Sequence, residues 1–381
     1  IMEIENLTYG DAVRFLAKRA GLEVPDDGAY QSQYKKKERL WALCRAAAQF
    51  YHAQLKTPAG EAARAYLQKR GVSGQTVTRF GLGYSPNRWT ALLDVMTAKG
   101  YTKEELLEAG LLSQNREKGT LYDRFRNRLM FPIIDVRGDV LGFGGRIISK
   151  DDPGAKYMNT PETIVYSKRR VLYGLNLAKK SKRSNIILVE GNIDVVMLHQ
   201  AGFDNACASM GTALTTEQLQ LLSRYTKEIV LCYDNDDAGK VATQKALTLL
   251  NNTDFQVKVL ELPKRLVDGE YIKQDADDFI KFQGKDAFEH LLSGSESGMD
   301  FRMAQLKSKF DLKSDEGRIG FAEAAAGLLS TVPNAVEREI YTVRASEAAG
   351  ITPDAMKLEV ERARKRARYK EKREQERRDL N

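Results

Sequence analysis

Cysteine and histidine are scarce in this chain, with three of each in 381 residues. Cys44, Cys207 and Cys232 lie far apart, with no CxxC pair and no even framework. The chain is therefore not disulfide-built and fits a reducing, cytoplasmic setting. Only His52, His199 and His290 are available to join them, so no structural zinc site of paired Cys and His ligands is expected. No apolar run approaches ~20 residues, the length a membrane-spanning helix needs. No basic-then-apolar leader follows Ile1, so no signal peptide is expected. The pattern GxxxxGK[ST] is missing too, which argues against a fused P-loop ATPase. What is present is ample for packed cores: hydrophobic residues make up 42% of the chain, and its length suits two or three domains.

The formal net charge of +8 is unevenly spread. Residues 116–183 hold sixteen Lys/Arg against seven Asp/Glu, a net of +9. Residues 229–290 hold eight against twelve, a net of −4, and residues 361–381 hold ten against five, a net of +5. A basic block followed by an acidic one suits an enzyme that acts on polyanions. One part attracts phosphates and the other holds the cations that work on them. The terminal block alternates in sign and suits a solvated helix as well as a nucleic-acid arm.

Residues 3–23 read as an amphipathic helix, followed by a turn at Pro25-Asp26-Asp27-Gly28 and a polar linker to about Lys37. Residues 38–70 have helical periodicity, with Leu40, Leu43, Ala47, Phe50 and Tyr51 on one side. Residues 80–84 and 129–148 read as strands, the latter turning at Arg137-Gly138-Asp139. From residue 184 strands at 185–189, 205–209, 228–233 and 256–260 alternate with helices at 194–201, 215–225 and 238–250. That alternation implies a mostly parallel sheet covered on both faces. Residues 298–368 carry four helical segments and no strand signal, so a helical bundle should follow. The expected division is a linker over 1–36, a mixed α/β basic subdomain over 37–183, an α/β subdomain over 184–290, a helical bundle over 291–368 and a basic tail over 369–381. The fold class is thus α+β and α/β combined.

Three acidic groups stand where strands end. Glu190-Gly191 follows the first strand of the α/β part, Asp234-Asn235-Asp236-Asp237-Ala238-Gly239 follows another, and Asp275-Ala276-Asp277-Asp278 comes after a loop beyond a third. In an open α/β sheet the active crevice lies beyond the carboxyl ends of the strands, so all three should converge there. In extended chain residues i and i+2 point the same way, so Asp234 with Asp236, and Asp275 with Asp277, can each offer two carboxylates to one cation. Crowded carboxylates repel and raise one another's pKa. A hard divalent cation such as Mg²⁺ or Mn²⁺ relieves this, and phosphoryl or nucleotidyl transfer is the chemistry implied. Asp194 lies four residues after Glu190 and reads equally well as a metal-facing carboxylate or a helix-start charge.

The run Val189-Glu190-Gly191-Asn192-Ile193-Asp194-Val195-Val196, followed by Tyr233-Asp234-Asn235-Asp236-Asp237-Ala238-Gly239, resembles the Toprim domain shared by topoisomerases and DnaG-type primases. Residues 122–148 (YDRFRNRLMFPIIDVRGDVLGFGGRII) resemble the basic subdomain of the bacterial replicative primases. So do Lys156 to Thr163, Lys168, Leu172-Tyr173-Gly174, Tyr66 to Gly71 and Phe80 to Tyr84. The resemblance covers roughly residues 37–360. It implies a DNA-dependent RNA polymerase that makes short primers from NTPs on single-stranded DNA, at the replisome in the cytoplasm. It implies Mg²⁺, with Mn²⁺ as substitute, held by Glu190, Asp234 and Asp236, with Asp275, Asp277 and Asp194 as further acidic groups. It implies nucleotide and template contacts from Arg146, Lys156, Tyr157 and Lys168. Replicative helicase and single-strand-binding protein are the partners it implies. The family's zinc-binding and helicase-binding domains are both expected to be absent, with 1–36 a remnant of the link to the former. Asn192 replaces a usual aromatic, Asn235 a usual glycine and Ala276 a usual proline, and none of these removes a carboxylate.

Other residues carry a sharp and a bland reading. Arg124, Arg126 and Arg128 alternate, and on a strand they would form one phosphate-binding face. Gly142-Phe143-Gly144-Gly145-Arg146 reads as a phosphate cradle or as a plain glycine-rich turn. Tyr66, Tyr84 and Trp89 are expected in the core rather than against bases, the three histidines in structural or surface roles, and Asp278 as a helix cap.

Overall fold

The computed structural model describes residues 9–22, 28–115, 117–148, 154–211, 213–251, 253–267 and 269–379. It divides into two compact units, Ile1–Lys240 with Leu260–Ser293, and Val241–Val259 with Gly294–Asn381.

The first unit contains a four-stranded antiparallel sheet in the order Gly83–Ser85, Arg128–Ile134, Val140–Ile147, Tyr157–Asn159. The hairpin expected over 129–148 is its centre. Its turn lacks the favoured Asn-Gly pair, and Asp135 supplies the closure instead. Asp135 Oδ1 accepts from the backbone N–H groups of Arg137, Gly138 and Asp139, each at 2.9 Å, while Gly138 takes φ +100°. The long helix Gly28–Leu55 packs on this sheet through Leu40, Leu43, Ala47 and Tyr51, beside Phe143.

That helix replaces the polar linker expected up to residue 36. Its early lysines face solvent, and Lys36 and Arg39 reach Glu108 and Glu105, residues far downstream whose pairing no local pattern shows. The preceding helix spans Tyr9–Ala20. Residues 1–8, and Pro25, Asp26 and Asp27 of the expected turn, lie outside the described residues.

Three parallel strands form the other half of this unit. Asn185–Val189 lies between Glu228–Leu231 and Ala206–Ala208. The run NIILV is buried almost throughout, as a strand covered on both faces must be. Helix Asn192–Gln200 crosses from the first strand to its neighbour and is buried from Asn192 to His199. One continuous core joins the two halves, from Leu129, Phe131 and Ile133 to Ile187, Val189 and Val196.

His199 sits inside this core at 3% exposure, with Nε2 2.9 Å from the Ala206 carbonyl and Nδ1 unpartnered. Burial pushes its pKa down to about 4 from 6.5. Between those values the unfolded chain binds a proton that the folded one excludes, so stability falls as pH falls through this window. The raised carboxylates act with the opposite sign over the same range, so the check is a difference: between pH 6.5 and 4, chemical denaturation of the parent should lose on the order of 3 kcal/mol more than that of a His199→Gln variant.

The second unit contains the helices Gly298–Lys307, Asp315–Ser330, Ala335–Ala349 and Pro353–Asp379. They close on Phe321, Ala325, Leu329, Ala345, Ala349 and Met356, where small side chains let the helices approach. Ser314 and Asn334 cap two of them, and Gly350, at φ +65°, ends one. The expected bundle is therefore present, and the last helix runs on through the basic tail. The fold is α+β and α/β with a helical C-terminal region. Among the described residues no helix is long and apolar enough to cross a membrane.

Candidate metal centre and nucleic-acid interface

Each acidic residue is placed by the end of an element. Glu190 follows its strand directly, and its Oε1 accepts from the Asp234 N–H at 3.3 Å. Asp236 Oδ1 accepts from the Gly239 N–H at 2.7 Å, folding the DxD loop back at the start of helix Asp237–Leu250. Asp194 Oδ2 accepts from the Gly191 N–H at 3.1 Å and its Oδ1 from the Asp277 N–H at 3.3 Å. Asp194 thus caps the start of its helix and joins the two motifs through backbone N–H groups. Asp275 Oδ1 accepts from the Asp278 N–H at 2.8 Å, so Asp275 rather than Asp278 caps the helix Ala276–Ser293. Carboxylate oxygens of Asp275, Asp277 and Asp278 lie within 4.8 Å of one another.

The electrostatics show the same convergence. Asp234 is pushed up to about 7, first by burial and then by Glu190, Asp275 and Asp236. Asp194 is raised well above the carboxylate range by burial and by Asp275, Asp234 and Asp277. Burial also raises Glu190 and Asp277. The separate motifs therefore meet in one crevice, and their charges disfavour one another there.

Arg70, which the sequence reading did not single out, pairs with the wholly buried Asp277 through Oδ2. The other oxygen, Oδ1, has no hydrogen-bond partner. Arg70 falls in the run Tyr66 to Gly71, but nothing local shows its pairing with Asp277, 207 residues away from the end of helix Glu61–Arg70. Its guanidinium stands 5.8 Å from the centroid of Tyr66, and that of Arg146 lies 5.1 Å from the same ring. Arg146 also donates to Tyr157 Oη at 2.9 Å, its partner across the strand pair Val140–Ile147 and Tyr157–Asn159. Lys156 is exposed, lies 5.9 Å from the Tyr157 ring, and lowers the Asp234 value by its charge. Lys156 and Tyr157 are thus brought beside the acidic cluster, while Arg146 is buried against the Tyr66 and Tyr157 rings. Lys168 is on a separate turn, Lys168–Arg170, whose backbone is held by Glu162 and Gln218.

The three alternating arginines do not share a strand face. The strand Leu121–Asp123 ends before them, and Asn127, at φ +51°, turns the chain between Arg126 and Arg128. Arg128 is buried and donates to the Gly145 and Ala155 carbonyls at 3.2 and 2.9 Å, which makes it an internal brace. Arg124 is half-buried. Arg126 lies over Trp89, 3.4 Å from its ring centroid. Trp89 itself is 63% exposed, contrary to the expected core position, whereas Tyr84 is buried as expected. The glycines of 142–145 form no cradle. They lie in a buried strand, where a Cβ at Gly142 would meet Thr160 and one at Gly145 would meet Phe125 and Arg128.

Residues 50–179 match the model for the N-terminal domain of the DNA primase catalytic core, and residues 187–280 match a Toprim-like domain. The crystal structure of a DNA primase domain from Pseudomonas aeruginosa superposes with a TM-score of 0.73 at 36% identity, covering 84% of this chain and 99% of that one. This chain belongs to the DnaG primase family. A DnaG primase catalytic domain solved bound to single-stranded DNA gives a TM-score of 0.72 at 35% identity, over 84% of this chain and 99% of that one. The DNA primase of Clostridium acetobutylicum is 37% identical over 359 residues, which are 93% of this chain and 58% of that protein. The chain thus spans somewhat over half the length of that primase.

One expectation is overturned. Residues 299–354 match the DnaB-helicase binding domain of primase, so that domain is not absent. The four helices were foreseen, but amphipathic periodicity reports only that a helix buries one side. It says nothing of what a bundle's outer surface binds.

Proposed function

We propose that this chain is the polymerase core of a primase, making short RNA primers on single-stranded DNA by metal-assisted nucleotidyl transfer. The observation that carries this is the meeting of Glu190, Asp194, Asp234 and Asp277 in one acidic cluster, with Lys156 beside it. The donor set fits a hard divalent cation: it is all oxygen, mutually repelling, and includes a buried Asp277 oxygen with no donor. In this reading Glu190, Asp234 and Asp236 hold Mg²⁺, or Mn²⁺ in its place, and Asp275 and Asp277 are further ligands. Such a cation, when bound, lowers the pKa of the attacking hydroxyl and neutralises charge on the phosphates.

The chain's own residues do the positioning. The strand ends fix the carboxylates, and Asp194 ties the Glu190 loop to the Asp275 motif through the Gly191 and Asp277 N–H groups. Lys156 and Arg146 attract triphosphate and template phosphates to the acidic cluster, with Lys168 as an outlying contact and Tyr157 as a surface for a base. Arg126 on Trp89 and the half-buried Arg124 extend the basic side. The helices over 299–354 would dock a DnaB-type helicase, and single-strand-binding protein would be met at the replisome in the cytoplasm.

Incubated with single-stranded DNA, NTPs and Mg²⁺, the protein should yield labelled RNA oligomers. Nicked DNA, or phosphate release without polymer, would overturn this reading.

A further inference from the structure

Just before the acidic motif at Asp275 the chain forms a small antiparallel hairpin, Arg265–Val267 with Glu270–Ile272, where the sequence reads only as a loop. Its register pairs Arg265 with Ile272, Leu266 with Tyr271 and Val267 with Glu270. Residues paired directly across share a face. One face therefore carries Arg265, Ile272, Val267 and Glu270. Arg265 lies over the Phe282 ring, 3.7 Å from its centroid, which fastens that face to helix Ala276–Ser293. The other face carries Leu266 and Tyr271, 58% and 71% exposed.

A side-chain contact lies just beyond the ladder. Gln274, buried at 5% exposure, donates its side-chain N–H to the Pro263 carbonyl. Extended by one step beyond the Arg265–Ile272 pair, the register would set Lys264 opposite Lys273. Alternation puts both on the Leu266–Tyr271 face, and both are exposed. Like charges directly across a strand pair are destabilising, and an exposed tyrosine beside leucine adds nothing to the core. The one carboxylate on the paired strands, Glu270, is on the opposite face. Among the described residues, two lysines and an open aromatic on one face are complementary to a strand with phosphates and unstacked bases, Asp268 of the turn lying outside the described residues.

We propose that this face of the hairpin binds a single-stranded stretch of the nucleic acid handled at the acidic crevice. A base stacks on Tyr271 beside Leu266, and phosphates are met by Lys264 and Lys273. Stacking on a side chain requires an unpaired base, which selects single strand over duplex. The hairpin leads into Asp275 through Lys273 and the clamped Gln274, so a strand it holds is kept next to the metal-binding motif. The inference rests on the reading that the crevice acts on nucleic acid.

The test measures anisotropy of a labelled single-stranded oligonucleotide without NTPs, so that binding is separated from synthesis. Tyr271→Ala should weaken binding roughly tenfold, while Tyr271→Phe, which keeps the ring, should stay within about twofold of the parent. Lys264→Ala with Lys273→Ala should flatten the slope of log K against log salt by about 1.4, for two single-strand phosphate contacts. Parent protein that binds while all three variants match it would overturn the hairpin assignment and leave the primase reading standing. Parent protein that binds no nucleic acid would overturn both. Variants that change self-association in sedimentation but not oligonucleotide binding would make the face a protein contact and overturn the proposal.

Discussion

Glu190→Gln is expected to lower primer synthesis by at least about 10³-fold, equivalent to about 4 kcal/mol of transition-state stabilisation. Single-stranded DNA binding should stay within about twofold, because Arg146, Lys156 and Tyr157 on the basic side are untouched. The substitution keeps shape and keeps an amide oxygen able to accept from the Asp234 N–H, so the loop should not move. What it removes is one negative charge from the acidic cluster proposed to hold the cation. Burial already raises the Glu190 pKa, so the fold disfavours its ionised form. Without added metal the variant should therefore melt no lower than the parent. Turnover assays, anisotropy and a thermal melt together check the three parts. Synthesis at the parental rate by the folded variant would remove Glu190 from the metal set.

Gly239→Ala should be nearly as damaging by a different route. A Cβ there would overlap the Asp234 carbonyl oxygen, stand 2.8 Å from the Asp234 carbonyl carbon and 3.0 Å from Glu190 Oε1. The first two atoms belong to backbone, which cannot rotate aside. The DxD loop must shift, and both of its carboxylates, Asp234 and Asp236, shift with it. Primer synthesis should fall by about 10²-fold or more, since a displacement near 1 Å at a reacting centre costs that much. Overpacking should also cost about 1–3 kcal/mol in denaturation midpoint experiments. Gly74→Ala is the matched control: nothing lies within 4 Å of its Cβ position, and both stability and synthesis should be kept. Equal behaviour of the two variants would show that the Gly239 contact does not constrain the site.

Strand ends were the most legible features. NIILV and EIVL are short apolar runs that only a covered sheet can bury; Glu190 follows the first at once, and Asp234 follows the second after Cys232 and Tyr233. The alternation of strands and helices then implied that Glu190, Asp234 and Asp275 meet, and they do. Regular alternation misled at Arg124, Arg126 and Arg128, because a single left-handed residue, Asn127, breaks the strand between them. Glycine content misled at 142–145, where the missing side chains make room for Thr160, Phe125 and Arg128 rather than for phosphate. In both places the deciding partner lies elsewhere in the chain.

By itself the sequence determined the fold class and the kinship with primases and named the candidate carboxylates, since periodicity and motif order are local and survive without coordinates. Only the tertiary structure decided which cations share the crevice. It brought in Arg70 across 207 residues to Asp277, withdrew Arg128 into the interior and exposed Trp89. It also raised a hairpin beside Asp275 from what reads as a loop. The physical reason is range: a strand or helix signal is carried by neighbours in sequence. The burial, pairing and pKa of a charge are set by whatever the fold packs against it.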